Sequence, residues 1–488
     1  MRSCGILLHI SSLPSPYGIG TFGDDAKRFV DWVAGAGLKH WQILPLSPTG
    51  FGNSPYQSFS TFAGNPLLID LDDLINLGLL DKQDCKQADF GKNPSLIDFE
   101  KVSHAKLSLL EKAFRRAATS DYDKFAQSEA FWLDDYALYM SIKESMGDKS
   151  WLEWDKDLLT RSESAIDKAK AQHKERIAFW KFVQYTFARQ WRELREYANK
   201  NGVEIIGDLP IYVAVDSADV WANPALFRLD DNFKPTRVAG VPPDYFSSTG
   251  QLWGNPLYDW EKMKAENYHW WLSRIKKNLE LYDCVRIDHF RAFDTYYTIP
   301  AAHNNAINGG WEVGPGMDLW NAVREELGEI NVIAEDLGEI FESVRVLLKD
   351  SGFPGMKVLQ FGFNGENNDN EHLPHRYPVG CVAYSGTHDN ATFEGWYRHS
   401  TQNEKAMAKR YLKPRTFEPI SKAAIRALFQ SPADLTIIAM QDVLSLDNRA
   451  RMNLPSTIGD NWIWRMKPGA CKQKHAKFLK ELCETYFR

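Results

Sequence analysis

Four short β-branched apolar runs, each closed by a carboxylate, constrain this chain more than any other feature. They are Val203-Glu204-Ile205-Ile206-Gly207-Asp208, Cys284-Val285-Arg286-Ile287-Asp288, Val332-Ile333-Ala334-Glu335 and Val382-Ala383-Tyr384-Ser385-Gly386-Thr387-His388-Asp389. A strand of a parallel sheet is buried on both faces and reads as a brief, nearly continuous apolar stretch. If such strands close into a (β/α)8 barrel, acids at their C-terminal ends meet at one mouth. One strand-end Asp is ordinary turn chemistry; four in succession are not.

Four more runs complete the set in chain order. Gly5–His9 and His40–Leu44 precede Val203–Gly207, Cys284–Ile287 and Val332–Ala334, and Met356–Phe361, Val382–Tyr384 and Leu435–Met440 follow or include the rest. Helical periods separate most of them, as at Asp24–Ala36, Glu175–Asn199, Tyr268–Leu281, Trp320–Leu327 and Ile340–Lys349. Gly37, Gly202 and Gly352 punctuate helix ends. Strand–helix alternation over eight strands predicts one α/β domain over 1–488, a (β/α)8 TIM barrel with large, mostly helical insertions. Roughly 155 residues part the second and third strands, far beyond an ordinary connection. Their stretch 70–175 is charged and helical in period, which predicts a helical insertion. The stretch 210–275 begins rich in Pro, Gly and aromatics with little periodicity, which predicts a folded cap or loop region over the barrel mouth.

The formal net charge of −6, from 64 acids and 58 bases, argues against nucleic acid as a partner and suits a neutral substrate. Six scattered cysteines show neither CxxC pairing nor metal-ligand spacing, and buried free thiols are the expectation. The N-terminal residues lack a signal peptide's apolar region, and no stretch approaches the ~18 apolar residues of a membrane span. A soluble, cytoplasmic protein is expected. The 17 Trp, 19 Tyr and 27 Phe fit two readings equally, a large aromatic core or ring faces on which sugars lie.

Splitting a glycosidic bond with retention needs a carboxylate nucleophile and a protonated acid held in opposite protonation states. Arg286 lies two residues before Asp288, so in a strand both side chains face one way. A guanidinium there is expected to favour ionised Asp288 and lower its pKa. Glu335 follows three apolar residues that would raise its pKa, as a general acid requires, although adjacent Asp336 is an alternative. Asp389, in Thr387-His388-Asp389-Asn390, could support an oxocarbenium-like transition state, with His388 donating to a sugar hydroxyl. Asp208 reads as a support that holds Arg286.

Three segments then resemble catalytic signatures of the 4-α-glucanotransferases, the amylomaltases or disproportionating enzymes of the α-amylase clan. They are Val285-Arg286-Ile287-Asp288-His289-Phe290-Arg291, Ile333-Ala334-Glu335-Asp336-Leu337-Gly338 and Gly386-Thr387-His388-Asp389-Asn390. The resemblance spans nearly the whole chain. It includes Ser54-Pro55-Tyr56-Gln57-Ser58 on the donor side, an active-site loop between Gly240 and Pro256, and a C-terminal signature of Arg451-Met452-Asn453 with Asn461-Trp462. It implies Asp288 as nucleophile, Glu335 as acid/base and Asp389 as transition-state stabiliser. Ser54, Tyr56, Asp244 and Gln251 are expected to bind substrate, as are Trp253, Arg286, His388 and Asn461. It also implies α-1,4-glucans, maltooligosaccharides and glucose as partners, neither metal nor organic cofactor, and no separate C-terminal β-domain. Two positions depart from the family pattern: Phe51 replaces a usual Tyr, and Pro455-Ser456 replaces Pro-Gly. If that Gly needs φ > 0, Ser456 strains the turn.

Three functions compete on the residues. A non-catalytic glucan binder has no use for an acid/base pair. Transfer and amylase-type hydrolysis share a glycosyl-enzyme and differ in what attacks it, so the residues alone fit both. A cap that excludes water favours transfer, with Gly240–Pro256, Trp311 and Gly314-Pro315-Gly316 as its candidates. The resemblance points to transfer.

Overall fold

A computed structural model describes all residues except 1, 119, 121, 244–246 and 365–369. Among the described residues twelve strands occur in chain order: β1 Ser3–Leu7, β2 His40–Gln42, β3 Glu204–Leu209, β4 Arg237–Val241, β5 Gln251–Pro256 and β6 Cys284–Ile287, then β7 Thr295–Pro300, β8 Gly310–Val313, β9 Val332–Ala334, β10 Met356–Val358, β11 Val382–Tyr384 and β12 Leu435–Ala439. Eight of them pair in parallel in the order β10-β11-β12-β1-β2-β3-β6-β9. The ends of that sheet meet. Ala334 N donates to Pro354 O at 2.9 Å, and Met356 N donates to Asp336 Oδ1 at 2.5 Å. The result is a (β/α)8 barrel, and no strand follows β12 among the described residues.

The barrel strands are short and largely buried where they cross the barrel wall. Val332–Ala334 and Val382–Tyr384 are buried at every position. The expected strand Met356–Phe361 stops at Val358, and Leu359–Phe363 forms a 3-10 turn instead. Periodicity cannot separate a buried turn from a buried strand over so few residues. Here Gln360 Nε2 leaves the wall to donate to Ala391 O at 2.7 Å.

Helices Asp24–Gly35, Lys174–Lys200, His269–Leu281, Met317–Leu327 and Glu342–Ser351 follow the expected periods. Gly37, Gly202 and Gly352 take φ of 79°, 71° and 70°, the left-handed stop that suits glycine. Between β2 and β3 the chain forms further helices, among them Phe99–Phe114 and Ala130–Ser145. Within 210–275, His269–Leu281 packs against β3 and β6, so the barrel resumes before that range ends.

The stretch read as aperiodic contains regular structure. β4 and β5 join β7 and β8 in an antiparallel sheet of order β5-β4-β7-β8. β4 has both ends half-exposed and a glycine inside, and a register shift falls between Val238 and Gly240. Such strands carry no clean alternation, which is why their pattern was missed. The aromatic excess is largely core: Trp41, Trp151, Trp191, Trp221, Trp271 and Trp320 are under 2% exposed. Among the described residues no helix is long and apolar enough to cross a membrane.

Candidate active site

The sheet register assembles the site. Asp208 of β3 lies beside Arg286 of β6, and Ile287 of β6 lies beside Ala334 of β9. The next residues along those strands, Asp288 and Glu335, therefore leave the barrel rim as neighbours. Glu335 N donates to Ile287 O at 3.0 Å and Asp288 N to Leu209 O at 3.0 Å, which sets both turns.

Arg286 stands at the centre with its side chain only 4% exposed. Nη1 donates to both oxygens of Asp208, at 2.7 and 2.8 Å, so the carboxylate read as its support is that. Nη2 reaches Asp288 Oδ1 at 3.0 Å and Glu335 Oε2 at 3.3 Å. Burial works against the Arg286 charge. Asp208, Asp288 and Glu335 more than offset it, holding the guanidinium well above the usual arginine range.

The two rim carboxyls share one electrostatic problem. Burial first, then the Asp288 charge, pushes Glu335 up to about 8. Burial also pushes Asp288 up, against the opposing pull of Arg286. The expectation that Arg286 lowers the Asp288 pKa captured only that pull; desolvation outweighs it. The pair still divides unequally. Asp288 is nearer Nη2 and its side chain is 25% exposed, against 12% for Glu335, so a shared proton rests on Glu335. Asp336, the alternative acid, is spent on the barrel seam through Met356 N.

Asp389 comes from the loop after β11. Its Oδ1 accepts from Asn453 Nδ2 at 2.6 Å and lies 3.4 Å from His388 Nε2. Asn453 N donates to His388 O at 3.1 Å, and Arg451 Nε donates to Asn453 O at 2.7 Å. The tail segment read only as a signature thus holds the Asp389 turn, a role its sequence did not show.

Tyr56 stacks on His388, with ring centroids 5.0 Å apart, and tilts against Trp462 at 5.7 Å. Its hydroxyl donates to Asp208 Oδ2 at 2.6 Å, so its proton is already committed and the ring face is what it offers a ligand. Ser54 Oγ accepts from Tyr56 N at 3.2 Å and shapes that turn. Trp253 meets His289 edge to face at 4.9 Å, and its Nε1 donates to Gln251 Oε1 at 3.2 Å. The Asn461 amide closes its own loop, accepting from Leu454 N at 2.9 Å and donating to Thr457 O at 2.9 Å. Trp311 lies under the Arg291 guanidinium at 4.0 Å, which covers one ring face. Asp244 lies outside the described residues. His289 and Trp462, central to these contacts, are not among the expected site residues, although both lie in the segments that carry the resemblance.

Residues 8–472 match the family described as Glyco_hydro_77, 4-alpha-glucanotransferase. The chain is 49% identical over 493 residues to the 4-alpha-glucanotransferase of Streptococcus pneumoniae, covering 100% of this chain and 97% of that one. It is 45% identical over 498 residues to the 4-alpha-glucanotransferase of Thermus thermophilus, covering 99% and 98%. Among solved structures, the amylomaltase from Streptococcus agalactiae in complex with acarbose superposes with a TM-score of 0.97 at 43% identity, over 100% of both chains. With its barrel and full-length relatives in agreement, this chain belongs to the 4-alpha-glucanotransferase family of enzymes.

Proposed function

We propose that the chain transfers α-1,4-glucan segments by a retaining, two-step exchange in which Asp288 is the nucleophile, Glu335 the acid/base and Asp389 the transition-state stabiliser. One observation carries this reading: a single guanidinium, locked by Asp208, contacts Asp288 at 3.0 Å and Glu335 at 3.3 Å. That shared contact holds the two carboxyls side by side at the rim, as a nucleophile and acid/base pair requires.

In the first step protonated Glu335 gives its proton to the glycosidic oxygen as that bond to C1 breaks. An Asp288 oxygen bonds to C1 from the other face, forming a glycosyl ester. The shortened glucan leaves. In the second step the 4-hydroxyl of an acceptor glucan or glucose attacks C1, its proton passes to Glu335 and Asp288 is released. Asp389, oriented by Asn453, accepts hydrogen bonds from ring hydroxyls that strengthen as positive charge develops. The Tyr56 ring and Trp253 provide apolar faces for glucose units, and His388 offers a donor beside Asp389. Maltooligosaccharides serve as donors and acceptors, and hydrolysis is the reading that the family does not favour. A cytoplasmic setting is supported by six free cysteines.

Incubation with maltotriose tests the function. Transfer yields glucose plus a ladder of longer maltooligosaccharides. Glucose and maltose without the ladder would mean hydrolysis. Asp288→Asn, which cannot form the ester, is expected to retain the fold and lose at least ~10³-fold in kcat; activity within tenfold of the parent would remove Asp288 from its role.

A further inference from the structure

The turn after Asp288 is built on a left-handed residue. His289 has φ +50°, a region that His, Asn and Asp enter more readily than most residues and that β-branched residues avoid. The turn aims two consecutive N–H groups at one residue: His289 N donates to Glu335 Oε2 at 2.6 Å, and Phe290 N donates to Glu335 O at 3.0 Å. Because Glu335 N donates in turn to Ile287 O, Glu335 is clasped at its amide, its carbonyl and one carboxylate oxygen. Oε2 also receives Arg286 Nη2, whereas Oε1 accepts no hydrogen bond among the described residues.

We infer that His289 is a positioning residue whose left-handed backbone occupies Glu335 Oε2, so that Oε1 carries the proton exchanged with the glycosidic and acceptor oxygens. This rests on the acid/base reading of Glu335. The imidazole does not carry protons itself. Burial, then the Arg291 charge, pushes it down to about 3, and its ring packs edge to face on Trp253 at 87°. The side chain thus ties the turn to β5 while the main chain does the positioning. The residue required for the positioning is one that tolerates positive φ.

The test compares full-length His289→Asn, His289→Val and Glu335→Gln with the parent, measuring kcat and KM for maltotriose against pH. His289→Asn keeps the left-handed turn, so its kcat is expected within about fivefold of the parent with an unmoved alkaline limb. His289→Val cannot hold φ near +50°, so kcat is expected to fall at least ~100-fold, the lower end of what acid–base catalysis contributes, with KM changed less than about threefold. Its alkaline limb should move upward, since the lost N–H no longer favours ionised Glu335. With α-maltosyl fluoride, which leaves without a proton, the Val loss should shrink. A His289→Val enzyme with the parent's kcat and pH profile overturns the inference, as does a His289→Asn enzyme that falls as far as Val. Should His289→Val fail to fold by circular dichroism, a His289→Asn kcat below a hundredth of the parent's overturns it alone. Glu335→Gln separates the two readings: if it retains kcat the acid/base assignment itself falls, and if it is inactive while His289→Val is normal only the role of His289 falls.

Discussion

In the proposed role of Glu335, burial supplies what an acid needs at neutral pH by holding a proton on its carboxyl. With its carboxyl pushed up to about 8, the acid is competent below that value, so the alkaline limb of kcat/KM is expected near pH 8 and should vanish in Glu335→Gln. The same displacement has a cost in stability. A carboxyl whose folded pKa lies above its unfolded value binds more protons in the native state, so native stability falls as pH rises between the two values. Above about 8 the penalty of the buried charge is complete. Glu335→Gln removes it, so its Tm should exceed the parent's by roughly 1–3 °C at pH 8, a gap closing toward pH 4.5. A Tm difference independent of pH would contradict this account. Ser456 offers a second residue-scale check. It sits at φ +63°, after Pro455, on an exposed turn, so the strain expected of a serine at this position is present. Ser456→Gly should stabilise by about 0.5–1 kcal/mol by denaturant titration.

At the scale of elements, a carboxylate helps to close the barrel beside the Ala334 N–Pro354 O bond. Asp336 accepts Met356 N across the gap between β9 and β10, and burial keeps its pKa raised. Asp336→Ala leaves a buried N–H unpaired, so a loss of about 1–3 kcal/mol is expected, with kcat falling far less than in Glu335→Gln. Equal kinetic losses would return Asp336 as the acid. The β4–β5 hairpin answers a different question. Pro242 and Pro243 stiffen its tip; replacing both with Gly should raise the ratio of reducing-end release to transfer product, with some loss of overall rate. An unchanged ratio alongside faster proteolysis of the hairpin would mean that water is excluded elsewhere. Both elements show where sequence reading stops: the seam joins residues of two strands, and the hairpin strands pair with β7 and one another rather than showing a period.

Over the whole molecule, the candidate site and a cluster of stabilising arginine contacts sit at opposite ends of the barrel. The carboxylates occupy the C-terminal rim, while the N-terminal face is tied by arginines. Arg488 donates to Phe429 O, Ser3 O, Ala433 O, Leu428 O and Ser431 O at 2.8–3.3 Å, and Arg2 joins it on Phe429 O and Ser431 O. These carbonyls include the end of helix Ile420–Gln430, where positive charge is favourable. Arg488→Met should lower stability by about 2–3 kcal/mol and leave kcat for maltotriose unchanged. A kinetic loss without a stability loss would show coupling between the faces.

The linear order of residues was enough to place the eight barrel strands, since a strand buried on both faces must be apolar along its length. It also marked Asp288, Glu335 and Asp389 as candidates, because each closes such a run or the turn beyond it. What the chain order could not decide was anything that depends on a sum over neighbours distant in sequence. Asn453 lies 64 residues from Asp389 and meets it only because the tail folds back over the rim. The second sheet arises from half-exposed strands whose partners, not their composition, make them strands. The balance at Asp288 was misread for the same reason: Arg286 is visible two residues away, whereas the desolvation that outweighs it comes from the whole wall of the barrel.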